Sequence, residues 1–405
     1  MNNIYNSMKL FIFSLLTSTI FGRTIMLNKD LNFDSLKFDN NDNFNMPNLN
    51  LEKFKKRHSN IKYQIDEQLE SHTKKFMENN EYEDIEEIEI PMIFHVIYNN
   101  GNNYQYGDIN PFTINQQLIQ TYVVDQLNED YNLENEDRFE TPEVWQDLMA
   151  DFKINFFINK VIYINSNKES WDMYDDSMKM DKSGGSNVID PELNLNVWIV
   201  YSPGSEGEIT MGRAQFASNF KQQPELDGYV LNFYALLLSM NGYSDRTSTH
   251  EIGHWMNLRH IWGDGGCDVD DGVADTPVSD ISHIECGSSE DCTYPATSSC
   301  GSPDMFMNYM SYGNEQYMFT KGQMLRARAV FAEGGPRHSM VTRKKSTKKY
   351  HHDDTFYIII VVLTIFSGFF LTVLIFRSLI KCFILKYQLR EMYRIEEVSP
   401  EELLT

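Results

Sequence analysis

The sequence predicts an α/β fold in which a sheet supports a metal-binding helix, with a membrane span behind the domain. Three observations lead there. Between residues 90 and 202, apolar β-branched runs flank a segment of helical spacing. Residues 250–260, HEIGHWMNLRH, hold three histidines and a glutamate. Residues 356–376 carry no charge.

In chain order, residues 1–23 have a polar start with Lys9, an apolar run and small residues near its end. They read as a signal peptide, with an uncleaved signal anchor as the alternative. Residues 24–89 are polar and end in an acidic run over 78–89, so they read as a pro-segment or linker. The run IPMIFHVIYN at 90–99 is a buried strand by composition. Over 113–130, Ile114, Leu118, Ile119, Tyr122, Val123 and Leu127 fall at helical spacing, with Thr113 as a candidate N-cap. Strands follow at 152–164 and 193–202, and the polar, glycine-containing stretch between them reads as a loop. A short strand or edge is expected at 228–235, and Thr247, Ser248 and Thr249 are available to cap the metal helix.

Within that helix, His250 and His254 lie one turn apart on one face. His260 comes six residues later, so the chain must bend to bring it back. Three neutral nitrogens and one open position are the donor set of a catalytic zinc. Glu251 adjoins the first ligand, within reach of a water at the open position. A bare HExxH also occurs by chance on surface helices, and it is the third histidine that separates the two readings.

Residues 263–304 are rich in Gly, Asp, Ser and Cys and poor in apolar side chains, so they need staples. Cys267, Cys286, Cys292 and Cys300 fit two disulfides, with free thiols or a second metal site as alternatives and the pairing left open. Asp264, Asp268, Asp270, Asp271 and Asp275 form an oxygen-rich cluster, either a calcium site or a solvated acidic loop. Farther on, Leu325, Ala329 and Val330 have helical spacing, which turns Arg326 and Arg328 to solvent.

The net charge of −23 over 405 residues excludes nucleic acid as a partner. The run at 356–376 is long enough to cross a bilayer. Basic residues flank it on both sides, so the signal segment and the cysteines set the orientation: domain outside, residues 377–405 inside. This makes the chain a single-pass type I membrane protein, with its domain extracellular or lumenal.

Taken together, HEIGHWMNLRHIWGD at 250–264, DGVADTP at 271–277, MFMNYMSYG at 305–313 and FTKGQMLRAR at 319–328 resemble the pappalysin (cytophagalysin) family of metzincin zinc proteases. The resemblance extends to the strand at 91–99 and to GRAQF at 212–216. It implies a metzincin-like zincin: a twisted mixed sheet and active-site helix in an upper lobe, and an irregular, disulfide-stapled lower lobe. It implies Zn²⁺ on His250, His254 and His260, with Glu251 as general base. Met310 is the methionine of the turn beneath the metal, with Met307 as competitor in register. Tyr312 is then an active-site residue, and Tyr309 takes that place only in the other register. Most metzincins have glycine where this chain has Asn257, and asparagine is the next best residue for a left-handed turn. The expected partition is signal peptide 1–23, pro-segment or linker 24–89, metalloprotease domain 90–335, basic stalk 336–355, membrane helix 356–376 and cytoplasmic tail 377–405. The expected partner is a protein or peptide substrate. The competing reading is a non-catalytic, zinc-binding adhesion or receptor ectodomain tethered to a membrane, and the presence of Glu251 weighs against it.

Overall fold

The computed structural model describes residues 67–342, apart from 81–84, 100–113, 204–208, 241, 243–244, 285, 287–291 and 314, together with residue 381. The expected signal segment at 1–23, the membrane span at 356–376, the tail apart from residue 381 and the cap Thr113 lie outside the described residues. Among the described residues, no helix is long and apolar enough to cross a membrane.

Five strands form one mixed sheet in the order β2-β1-β3-β5-β4: β1 (Ile88–Tyr98), β2 (Ile154–Asn165), β3 (Leu195–Val200), β4 (Gly212–Ala214) and β5 (Tyr229–Asn232). The pairs β1–β2, β1–β3 and β3–β5 are parallel, and β4 closes the edge antiparallel to β5. Both faces are covered, as parallel strands require, and the period-2 alternation divides the side chains cleanly. Ile90, Met92, Phe94, Val96, Leu195, Val197, Ile199, Tyr229 and Leu231 face the main core. Ile97, Trp198, Val200 and Val230 face a smaller cluster with Trp171, Met173 and Met178. Those last three come from the stretch expected to be a loop. It has no strand or α-helix, yet it caps the second face of the sheet.

On the main face lies α2, built from Gln116–Ile119, a π-helical turn at Gln120–Val124, and Asp125–Tyr131. Its N-cap is Asn115, whose side chain accepts from Leu118 N at 3.0 Å. Ile119, Val123, Val124, Leu127 and Tyr131 are the buried stripe. The strand expected near 228–235 is β5, and it runs directly into α3 (Phe233–Met240). The metal helix α4 (Thr247–Trp255) packs over β4 and β5. Its start differs from expectation. Thr247, Ser248 and Thr249 are the first turn, the N-cap is Arg246, and Asp245, just before it, accepts from Thr247 N at 3.1 Å.

Helix α5 (Lys321–Arg328) opens with a capping box in which Thr320 and Gln323 satisfy each other's backbone. The expectation that Arg326 and Arg328 face solvent is overturned: they are 2% and 7% exposed. Burial is tolerated because each guanidinium bonds to several acceptors. Arg328 donates to the carbonyls of Phe152, Lys153 and Glu86. Arg326 bonds to the Asn257 carbonyl and to Glu70.

Segments on both sides of the expected 90–335 pack against it. Residues Glu67–Asn79, within the expected pro-segment, form α1, which packs on α5. At the other end, α6 (His338–Thr342) follows Arg337, which was assigned to the stalk yet is 1% exposed. The lower region has a satellite core of Trp145, Met305, Phe306, Met307, Met318 and the Cys286–Cys292 disulfide. A second disulfide joins Cys267 to Cys300.

Candidate active site

Helix α4 presents His250 and His254 on one face. Helical geometry ends at Trp255, and Asn257 takes the left-handed conformation at φ 74°. This is the bend that the six-residue gap demanded, and after glycine asparagine is the residue best suited to it. The bend returns His260 to the other two. The Nε2 atoms of His254 and His260 are 3.0 Å apart, and those of His260 and His250 are 3.2 Å apart. Two ligand nitrogens on a tetrahedral zinc, each about 2.0–2.1 Å from the ion, stand at a similar spacing. Among the described residues, these three form the one group of His, Cys, Asp or Glu side chains close enough to share a metal ion.

Each imidazole is held from behind by its other nitrogen. The Nδ1 atoms of His250, His254 and His260 donate to Tyr309 O at 2.7 Å, Leu258 O at 2.9 Å and the Asp264 carboxylate at 2.8 Å. This fixes the tautomer that turns every Nε2 lone pair inward. Burial, reinforced by His260, pushes the His250 imidazole down to about 3 and His254 well below its ordinary value. Both are neutral, as metal ligation requires. The donor set and its orientation therefore fit zinc.

Glu251 lies against β4. Burial pushes its carboxyl up to about 8, against the Ala214 N–H and the Arg213 charge, which lower it. A Cβ on Gly212 would stand 2.6 Å from Glu251 Cγ and 2.7 Å from its Oε1, so only glycine leaves room there. Gly212 opens the GRAQF motif, whose resemblance to the family assigns it no role. Beneath α4, the Met310 sulfur fills the space where a Cβ on Gly253 would be. Tyr312 packs edge-on to His260 at 4.8 Å between ring centroids and touches Trp262 and His250. Tyr309 points away: its hydroxyl donates to Asp130 at 2.9 Å. Met307 sits in the satellite core of the lower region, away from the histidines.

Two groups escaped sequence reasoning. Trp262 stacks on His260 at 4.1 Å between ring centroids and 6° between planes. Asp130, on α2, accepts from Thr249 Oγ1 at 2.6 Å and from Tyr309, and lies 3.2 Å from Arg246. It thereby ties the N-terminal turn of α4 to the strand of chain that supports His250. Burial raises the Asp130 carboxyl to about 6, although Arg246 opposes the shift.

The five aspartates of the acidic stretch do not converge. Asp264 serves His260. Asp271 is buried and accepts from Thr276 and from Val273 N. Asp275 accepts from Thr320 Oγ1 and Gly322 N at the start of α5. Asp270 accepts from Gly272 N, and Asp268 is exposed. Four of the five are turned to separate local partners, which is why they form no common oxygen cage.

Comparison with known proteins agrees with this geometry. The family model for peptidase family M43, described as pregnancy-associated plasma protein-A, matches residues 179–332. An extracellular metalloprotease of Arthroderma benhamiae is 33% identical over 121 residues, which is 28% of this chain and 39% of that protein. The match thus spans well under half the length of that fungal relative. Mature mirolysin of Tannerella forsythia, solved with a cleaved peptide, is 32% identical. Its TM-score is 0.56, over 64% of this chain and 97% of that one. A promirolysin mutant from the same organism is 28% identical, with a TM-score of 0.58 over 71% of this chain and 94% of that one. With its three inward-facing histidines, adjoining glutamate and supporting methionine, the chain belongs to the pappalysin family of metzincin metallopeptidases, peptidase family M43.

Proposed function

We propose that the chain is a zinc-dependent metalloendopeptidase that hydrolyses peptide bonds of extracellular proteins or peptides, displayed outward from a membrane by residues 356–376. The observation that carries the chemistry is the convergence of three Nε2 atoms, at 3.0 and 3.2 Å, beside Glu251. Zinc bound there supplies a Lewis acid for the scissile carbonyl and lowers the pKa of water.

The chain's own residues do the rest. His250, His254 and His260 hold the ion as neutral imidazoles. Glu251 removes the proton from the attacking water and delivers it to the leaving amine as the carbon–nitrogen bond breaks. A cation held by the three histidines would oppose the burial that raises its pKa and favour the carboxylate form that a base needs. Burial raises the Tyr312 hydroxyl well above its ordinary value, so it stays protonated and donates to the developing oxyanion. Met310 and Trp262 are walls. The relative solved with a cleaved peptide supports a peptide substrate.

Glu251→Ala is expected to keep zinc and fold but lose about 100- to 10,000-fold in hydrolysis of a quenched peptide library. Full activity in that variant removes the mechanism, and full activity after chelation removes the metal. For the anchor, alkaline extraction of membranes expressing the full chain is expected to leave it in the pellet. A chain ending before residue 356 is expected in the supernatant. Equal partition of the two forms refutes the anchor.

A further inference from the structure

We infer that Glu70, in a segment the sequence reads as pro-segment or linker, is a positioning residue for the zinc site, acting through the turn Asn257–His260. The inference rests on the zinc reading above.

Two of the three ligands depend on that turn. It carries His260 itself, and its Leu258 carbonyl orients His254. The turn, with Asn257 in the left-handed region, closes on the end of α4 through Asn257 N to His254 O and Leu258 N to Gly253 O, both at 2.9 Å. Side-chain support for it arrives from α5 and α1. Arg326, 2% exposed, donates from Nε to the Asn257 carbonyl at 2.9 Å. The same guanidinium is gripped by both Glu70 oxygens, at 3.0 and 2.5 Å. Arg259, inside the turn and next to His260, reaches the same carboxylate at 3.0 Å. One glutamate on α1 thus binds two arginines, one in the turn and one holding it. A fork-to-carboxylate contact is directional, so it fixes orientation as well as proximity. With Glu70 absent, Arg259 and Arg326 repel each other across the turn. Leu69 and Thr73 are the buried contacts that seat α1 at this place.

The test measures zinc affinity of the full chain by competition with a chromophoric chelator. Glu70→Ala is expected to weaken zinc binding about tenfold, the effect of losing an outer-shell partner. Glu70→Gln, which keeps a hydrogen-bonding group, should fall between. In the Arg326→Ala background, Glu70→Ala should add less than it does alone. Cobalt-loaded Glu70→Ala should show a shifted visible absorption band, reporting a changed ligand arrangement. Val200→Ala, on the far face of the sheet, is the stability control and should leave zinc affinity unchanged. The inference is overturned if Glu70→Ala and Glu70→Gln bind zinc as tightly as wild type, or if Val200→Ala weakens it as much. A wild-type chain that binds no zinc overturns the zinc reading itself and this inference with it.

Discussion

Gly212 limits where Glu251, the proposed general base, can stand. Its Cα faces the Glu251 side chain and Thr247, with no room for a methyl group. Gly212→Ala is expected to displace the carboxylate without touching a metal ligand. Hydrolysis should fall about 100-fold, the scale of an ångström-sized misplacement, while zinc content stays at one per chain. Loss of zinc instead, or no loss of rate, contradicts this assignment. Such a residue is hard to find in a sequence because its role is the absence of a side chain. The three histidines were legible because ligand chemistry fixes both residue type and spacing. Asp264 lay between these cases. Four residues beyond His260 and in an acidic run, it reads as part of a calcium site or a solvated acidic loop, and only the bend places its carboxylate on the imidazole.

Between elements, the join of α6 to α4 is an ion pair buried on every side. Arg337 binds both Asp227 oxygens at 2.8 Å, donates to the Trp255 carbonyl and lies 3.9 Å above the Trp255 ring. Asp227 also accepts from Trp255 Nε1 at 3.1 Å. Removing one member leaves the other charged and unpaired, so Arg337→Ala is expected to destabilise the domain by about 3–5 kcal/mol. Urea denaturation followed by tryptophan fluorescence measures this, and a loss below 1 kcal/mol refutes it. The sequence placed Arg337 in a solvated stalk because arginines near a membrane span usually are solvated. The helical spacing of Leu325, Ala329 and Val330 likewise turns Arg326 and Arg328 outward. In each case a carboxylate or a row of carbonyls, distant in sequence, overrides the local pattern. Periodicity within a helix records which faces are apolar, and says nothing of a polar partner elsewhere.

Across the whole molecule, the sheet was readable because its strands are continuous apolar runs. The cap on its second face was not, because its three anchors are scattered through polar chain. At the centre of that face, His95 is fully buried, with Nδ1 on Ser186 and Nε2 on Asn196, stacked 5.0 Å from Trp198. Burial lowers its pKa below 6.5. The unfolded chain therefore takes up a proton near pH 6.5 that the folded chain refuses. His95 accordingly contributes stability above that pH and loses it as the pH falls. Buried Asp130 and Asp271, raised to about 6 and about 7, work in the opposite sense. Comparison with His95→Gln isolates the histidine: the wild type should lose more stability than the variant between pH 6.5 and 5. Parallel profiles exclude His95 as a source.

The Arg337 join has a mechanical side. If residues 356–376 hold the protein to a bilayer, any pull between substrate and membrane enters the domain through α6. The first buried residue on that path is Met340, in the main core, and α6 also lies against β1. Next comes the guanidinium of Arg337, seated on Trp255, the last residue of α4. A pull on such a tether would therefore be shared between the sheet and the helix that carries His250 and His254.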